Sequence, residues 1–187
     1  MKISYFDIYK ICSDDDFRPA MQCVKIAKFK ENYVAVATDS FKLKIVSVEL
    51  SDNEKEIVEK FNILIPSEIF KRIKKNTNTR KINLNDYEFK LGETSFIYKL
   101  FDYDLYAEYC KEEFPPFQSA IPKLNGNHIT LALNPSFLKE ISKEFDDPLV
   151  ILKFEVDEKG ICRKPILVNP QYDNTSRNII MCARVNQ

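Results

Sequence analysis

Glycine is scarce in this chain: Gly92, Gly126 and Gly160 are the three among 187 residues. That scarcity excludes the glycine-rich loops that cradle phosphates in Walker and Rossmann sites, and it leaves the turns to Asn, Asp and Pro. Histidine is scarcer still. The lone His128 sits beside a Gly-Asn turn and reads as a surface residue, with no second histidine to build a metal site or a Cys-His pair. Net charge is lacking too, because 28 basic and 28 acidic residues cancel. Any nucleic-acid contact must therefore be local rather than the work of the overall field.

The five cysteines, Cys12, Cys23, Cys110, Cys162 and Cys182, are odd in number, scattered and free of any Cys-x-x-Cys spacing. They suit a reducing compartment and read as small buried hydrophobes. No apolar run approaches roughly 18 residues, and the N-terminal MKISYFDIYK lacks the apolar stretch of a signal peptide. The expectation is a cytoplasmic protein that makes no use of a membrane.

What is present suffices for a folded core: 44% of the residues are hydrophobic and 12% aromatic. Alternation of apolar and polar residues predicts strands at 21–29, 33–39, 43–50, 81–85, 88–92 and 95–101. It predicts further strands at 128–133, 149–156, 164–168 and 178–185. Such half-buried strands belong to antiparallel sheets.

Helix signals are few. In PSEIFKRIKK, residues 66–75, Pro66 suits a first helical turn, while Ser67 and Glu68 suit the positive end of the helix dipole. At about 100° per residue, Ile69, Phe70 and Ile73 share one arc, and Lys71, Arg72, Lys74 and Lys75 fill the opposite one. A second helix is predicted after Asn134, a capping residue, with Pro135 and Ser136 opening it and Phe137, Leu138, Ile141 and Phe145 as its apolar stripe. A third, over 4–13, groups Tyr5, Ile8 and Cys12, although Ile3, Tyr5 and Ile8 suit a strand as well. ILIPSEIFKRIKK and LALNPSFLKEISK read as copies of one unit: strand, proline-opened helix, then three strands. Residues 107–127, rich in Pro, Gly, Asn and charge, read as the linker between them.

The segments VATDSFKL (36–43), ILIPSEIFKRI (63–73), EFPPFQSAIPK (113–123) and IIMCARV (179–185) together resemble the bacterial DNA polymerase β sliding clamp. The resemblance implies an α+β fold of DNA-clamp-like repeated units, each an antiparallel sheet with a few helices packed on one face. Residues 1–123 resemble the complete middle domain of that family, and 124–187 the second half of its last domain. The first domain has no counterpart, and residues 102–112 look like an insertion.

The function implied by the resemblance is that of a processivity factor, which tethers a polymerase or repair protein to duplex DNA with no cofactor, no catalytic residue and no metal ligand. A homo-oligomeric ring is one assembly the resemblance allows. The DNA-binding candidates are Lys71, Arg72, Lys74, Lys75, Arg80 and Lys81, which would meet phosphates without reading bases; the plainer reading of such a run is a solvated helix face. In the family, partner proteins insert a short peptide into an apolar pocket. The positions carried over are Thr38, Ser40, Phe41, Lys42 and Leu43 in the turn, Pro122 in the linker, and Ile179, Met181, Cys182 and Ala183 near the end. Ser40, Phe41 and Lys42 stand where the family typically has Gly, His and Arg, and Cys182 and Ala183 where it has Pro and Met.

Two rivals keep their place. One is a clamp-like interaction module that binds or competes for such peptides without encircling DNA. The other is a metal-dependent nuclease built on Asp14, Asp15 and Asp16 with Glu112 and Glu113, residue types that two-metal chemistry uses, although consecutive acids on a loop are usually solvated.

Overall fold

Alternating residues at the start of the chain build a five-stranded sheet from β1 (Lys2–Ile3), β2 (Cys23–Phe29), β3 (Asn32–Thr38), β4 (Leu43–Glu49) and β5 (Ile63–Pro66). The strand order is β1-β4-β3-β2-β5, and every pairing is antiparallel. The computed structural model describes residues 1–80, 88–100, 103–122, 129, 131–142, 150–170 and 178–180. It divides into two compact units, Met1–Ile121 and Pro122–Gln187. Antiparallel sheets with few helices make this an α+β fold.

Both faces of the first sheet are covered, which is why β3 reads as a nearly continuous apolar run. On one face Val24, Ile26, Ala35, Ala37, Ile63 and Ile65 pack with Phe70 and Ile73. On the other, Cys23, Val34, Val36 and Leu64 pack with Phe114 and Phe117, which the chain lays back across the sheet beyond Cys110. Phe29 and Phe117 close this second layer with ring centroids 5.8 Å apart.

The first unit contains the α-helices α1 (Asp52–Lys60) and α2 (Ser67–Arg80). α1 is not among the expected helices, yet its signal is written in Ser51-Asp-Asn-Glu54. The Ser51 hydroxyl and the Glu54 carboxylate form a reciprocal capping box. Expectation and structure also differ at Pro66, which closes β5 opposite Cys23 instead of opening α2. β5 is an edge strand, where a missing N–H leaves no ladder bond unmade.

The helix expected over 4–13 is a 3-10 segment, Phe6–Ile11. Its three-residue turn sets Phe6 edge-on to Tyr9, with centroids 6.3 Å apart, and both rings pack with Phe70. Ile8 is fully buried while Tyr5 remains exposed, so the supposed common face of Tyr5, Ile8 and Cys12 does not hold.

After α2 comes a second sheet, β6 (Glu88–Leu91), β7 (Ser95–Leu100) and β8 (Tyr103–Glu108), hydrogen-bonded in that order. The segment expected as an insertion thus contributes a strand. The expected strand at 81–85 lies outside the described residues. At the β6–β7 turn, Gly92 donates its N–H to the Ser95 carbonyl (2.9 Å), and a Cβ there would come within 3.0 Å of that same oxygen.

In the second unit, α3 (Pro135–Ser142) precedes β9 (Val150–Lys153), β10 (Ile166–Pro170) and β11 (Asn178–Ile180). The Asn134 side chain accepts the Ser136 N–H at 3.0 Å, as its capping role requires. Leu138 packs with Ile166, Val168 and Ile180, whereas Phe137 is exposed. Residues 131–133, expected in a strand, lie in none, and His128 is outside the described residues. Helix followed by a three-stranded antiparallel sheet is common to both units.

One carboxylate ties three parts of the first unit together. Glu54, 6% exposed, accepts the Ser51 N–H and the Leu91 N–H, and pairs with the Met1 ammonium at 3.0 Å. Burial by itself would raise its pKa, but the Ser51 N–H, the ammonium and the Leu91 N–H together hold it below the ordinary 4.5. A carboxylate with a depressed folded-state pKa adds stability that is complete above its unfolded value and is lost as pH falls through the folded one. Glu54→Ala is expected to destabilise the first unit by about 2–4 kcal/mol, because it strands buried donors. Glu54→Gln is expected to flatten the loss of stability below about pH 4.5, measured as denaturant midpoints across pH.

Candidate functional site

The basic face of α2 is oriented by what lies beneath it. Phe70 and Ile73 are 1% and 0% exposed, and burying each contributes roughly 2 kcal/mol, so the helix cannot roll without losing both. Lys71, Arg72 and Lys75 are consequently exposed, with Lys74 half-buried beside them. Arg80 is the last residue of α2, and Lys81 lies outside the described residues.

Carboxylates also gather at this face, a feature that sequence spacing reveals only for Glu68. Lys71 Nζ lies 3.7 Å from Asp14 Oδ1, Arg72 Nε lies 3.5 Å from Glu68 Oε1, and Lys74 pairs with Asp7. Hydrogen bonds from Lys10 and Lys74 hold the Asp7 carboxyl below its ordinary value. Of these pairs, Arg72–Glu68 alone is legible in the sequence, as an i,i+4 pair. The Asp14 and Asp7 pairings need the fold to bring the N-terminal segment against α2.

The acidic loop itself is occupied with its own geometry. Asp15 accepts the Phe17 N–H at 3.0 Å, and Asp16 accepts a Gln22 amide hydrogen at 2.9 Å. Among the described residues, no group of three His, Cys, Asp or Glu side chains is placed to hold a metal ion. A cleft of ≈ 380 Å³ opens between this loop and the first turn of α2, lined by Asp14, Asp16, Cys23, Ser67, Lys71 and Cys110 among others.

The turn between β3 and β4 is prebuilt. Thr38, 9% exposed, donates its hydroxyl to the Lys42 carbonyl (2.8 Å) and accepts the Ser40 N–H (3.2 Å). Asp39 accepts the N–H groups of Phe41 and Lys42 and pairs with Lys42 Nζ at 3.0 Å. Led by the Lys42 side chain, these contacts hold the Asp39 pKa down to about 2.

Ser40 adopts a left-handed backbone, φ 79°, the conformation glycine takes at least cost. Its hydroxyl accepts from Arg18 Nη1 at 2.6 Å and donates to Met21 Sδ at 3.3 Å. Arg18 and Met21, absent from the sequence-based set, are therefore part of the same surface. Phe41 is 93% exposed at the turn's tip, and Leu43 packs with the second core layer. In the second unit, Pro122 and Ile179 are exposed. Met181, Cys182 and Ala183 lie outside the described residues.

No family model matches the sequence, and no curated protein matches it. The three-dimensional comparison does find solved structures of the same fold, and they are bacterial sliding clamps. The β sliding clamp of Caulobacter crescentus superposes with a TM-score of 0.68 at 12% identity, covering 95% of this chain and 46% of that one. That of Bartonella birtlesii, solved with griselimycin bound, gives 0.68 at 15% identity over 97% and 49%. The DNA polymerase III β chain of Streptococcus pneumoniae gives 0.63 at 16% over 96% and 46%. The chain has the fold of the bacterial β sliding clamp and spans about half the length of the clamps it matches. Among the described residues, no helix is long and apolar enough to cross a membrane.

Ser40 provides a clean test of the turn. Ser40→Gly and Ser40→Ala both remove the hydroxyl, but glycine relieves the left-handed strain. Glycine is expected to exceed alanine in stability by about 1 kcal/mol, read as a difference in denaturant midpoint. Phe41→Ala is expected to leave stability within about 0.5 kcal/mol, as befits a side chain that packs on almost nothing.

Proposed function

We propose that this chain is a shortened, clamp-like processivity factor. The outer face of α2 rests on the phosphates of duplex DNA, and the turn from Thr38 to Leu43 receives a short peptide of a DNA polymerase or another replication or repair protein. The observation that carries this reading is the seating of α2: Phe70 and Ile73 are sealed against the sheet, and the cations are turned outward in a clamp fold. Contacts of this kind register charge and not base identity, so they permit sliding.

The carboxylates beside Lys71 and Arg72 do not prevent it. Exposed ion pairs contribute about 0–1 kcal/mol each, so exchanging Asp14 or Glu68 for a phosphate is nearly neutral before counterion release is counted. The prebuilt β3–β4 turn suits a peptide anchor, since little ordering remains to be done on binding. Phe41 and Leu43 supply apolar contact, Met21 an adaptable wall, and Arg18 and Lys42 a polar rim. The resemblance also assigns a peptide-contacting role to Pro122, Ile179, Met181, Cys182 and Ala183 in the second unit.

The same carboxylates favour a second reading, in which the chain binds or competes for such peptides without encircling DNA. Salt titration separates the two. Log affinity for duplex DNA is expected to fall linearly with log salt, and Lys71→Ala/Arg72→Ala is expected to flatten that slope by about 2. A slope unmoved by the double variant removes α2 from the interface. In parallel, a labelled clamp-binding peptide is expected to bind saturably to the wild type and not to folded Leu43→Asp or Met181→Asp. Peptide binding with no DNA binding selects the second reading, and a folded wild type that binds neither ends both.

A further inference from the structure

Two thiols far apart in the sequence meet in the cleft at the base of α2. Cys23 opens β2, is 2% exposed, and donates its thiol hydrogen to the Pro19 carbonyl at 3.4 Å. Cys110 donates its backbone N–H to the Leu64 carbonyl at 2.9 Å, which holds it beside β5, the strand that pairs with Cys23 through Pro66. Both residues line the ≈ 380 Å³ cleft, and both pack in the second core layer. Cys110 is the more exposed of the two. Asp14, Asp16, Glu68 and Lys71 line the same cleft, giving it polar walls that admit small polar solutes.

We propose that Cys23 and Cys110 form a reversible disulfide, with a hydroperoxide as oxidant and Cys110 as the sulfur that reacts first. The Cys110 thiolate attacks one peroxide oxygen, the O–O bond breaks, and the departing hydroxide takes up the thiol proton as water, leaving a sulfenic acid. The Cys23 sulfur then attacks the Cys110 sulfur. An S–S bond forms, the S–OH bond breaks, and the hydroxyl leaves with the Cys23 proton as a second water. Two thiols and one hydrogen peroxide become one disulfide and two waters, with two electrons passing from sulfur to oxygen. A small thiol restores both cysteines by exchange.

The order of the steps is set by the surroundings. Cys23 is 2% exposed, and burial holds its thiol well above its ordinary value, so the peroxide meets the more exposed Cys110 first. Cys12 is likewise pushed up to about 12 by burial, and it packs with the opposite core layer. The bond would fasten to β2 the segment that lays Phe114 and Phe117 over the sheet, placing a covalent clip beside the first turn of α2.

The test uses the whole chain, oxidised with hydrogen peroxide, quenched with an alkylating agent under native conditions, unfolded, digested and mapped by mass spectrometry. The expected product is a monomer lighter by about 2 Da, with peptides containing Cys23 and Cys110 cross-linked and the mass recovered with a thiol reductant. In Cys23→Ser the Cys110 sulfenic acid persists and is trapped by dimedone, whereas in Cys110→Ser no dimedone adduct forms at Cys23. Over-oxidation of Cys110 without cross-linking in the wild type would overturn the proposal. So would a cross-link that runs to Cys12, Cys162 or another chain, or native alkylation of Cys110 with no disulfide after peroxide.

Discussion

The sheet that is covered on both faces is the constraint on which the rest of the first unit depends. A strand buried on two sides loses the simple alternation of a surface strand, and β3 shows this with Val34, Ala35, Val36, Ala37 and Thr38 all buried. Each face then demands an apolar cover. α2 supplies one with Phe70 and Ile73, and the segment carrying Phe114 and Phe117 supplies the other. The direction of the basic side chains is a consequence of that demand, because a helix of 3.6-residue period that buries one stripe must present the opposite one.

Turn chemistry takes over the work that glycine usually does. Asp39 and Thr38 brace the β3–β4 turn, Asp15 braces the loop before β2, and Asp157 accepts the N–H groups of Lys159 and Ile161 in the second unit. Short polar side chains mimic a backbone turn and tolerate the left-handed region. Stiff, exposed turns result, and Ser40 shows that such a turn can hold a serine where the backbone favours glycine. Glu54 does for the ends of elements what these residues do for turns, gathering donors from the start of the chain, the cap of α1 and the first strand of the second sheet.

Much of the fold is legible in the sequence. β2, β3, β4, β6, β7, β9 and β10 fall within or close to their expected spans, because two-residue periodicity survives in half-buried strands. The apolar and basic arcs of α2 are legible for the same reason at the helical period. α1 escapes because its one buried apolar residue, Val58, leaves little stripe to see, and its capping box is the sole local signal. Pro66 is ambiguous because proline suits both a helix start and an edge strand, and the choice rests on pairing with Cys23. Arg18 and Met21 cannot be joined to the turn from spacing alone, since their link to Ser40 crosses two strands.

The amino-acid sequence by itself determined which stripes must be buried and which must face water, and hence the antiparallel sheets, the two later helices and the outward cations. These are consequences of period and solubility, which are local properties of the chain. Tertiary structure alone decided what stands next to those stripes: Asp7 and Asp14 beside the α2 lysines, Leu91 and Met1 on Glu54, and Cys110 against Cys23. Such neighbours are set by the docking of whole elements, in which burial of apolar area fixes the position and the polar side chains then meet whatever that position provides.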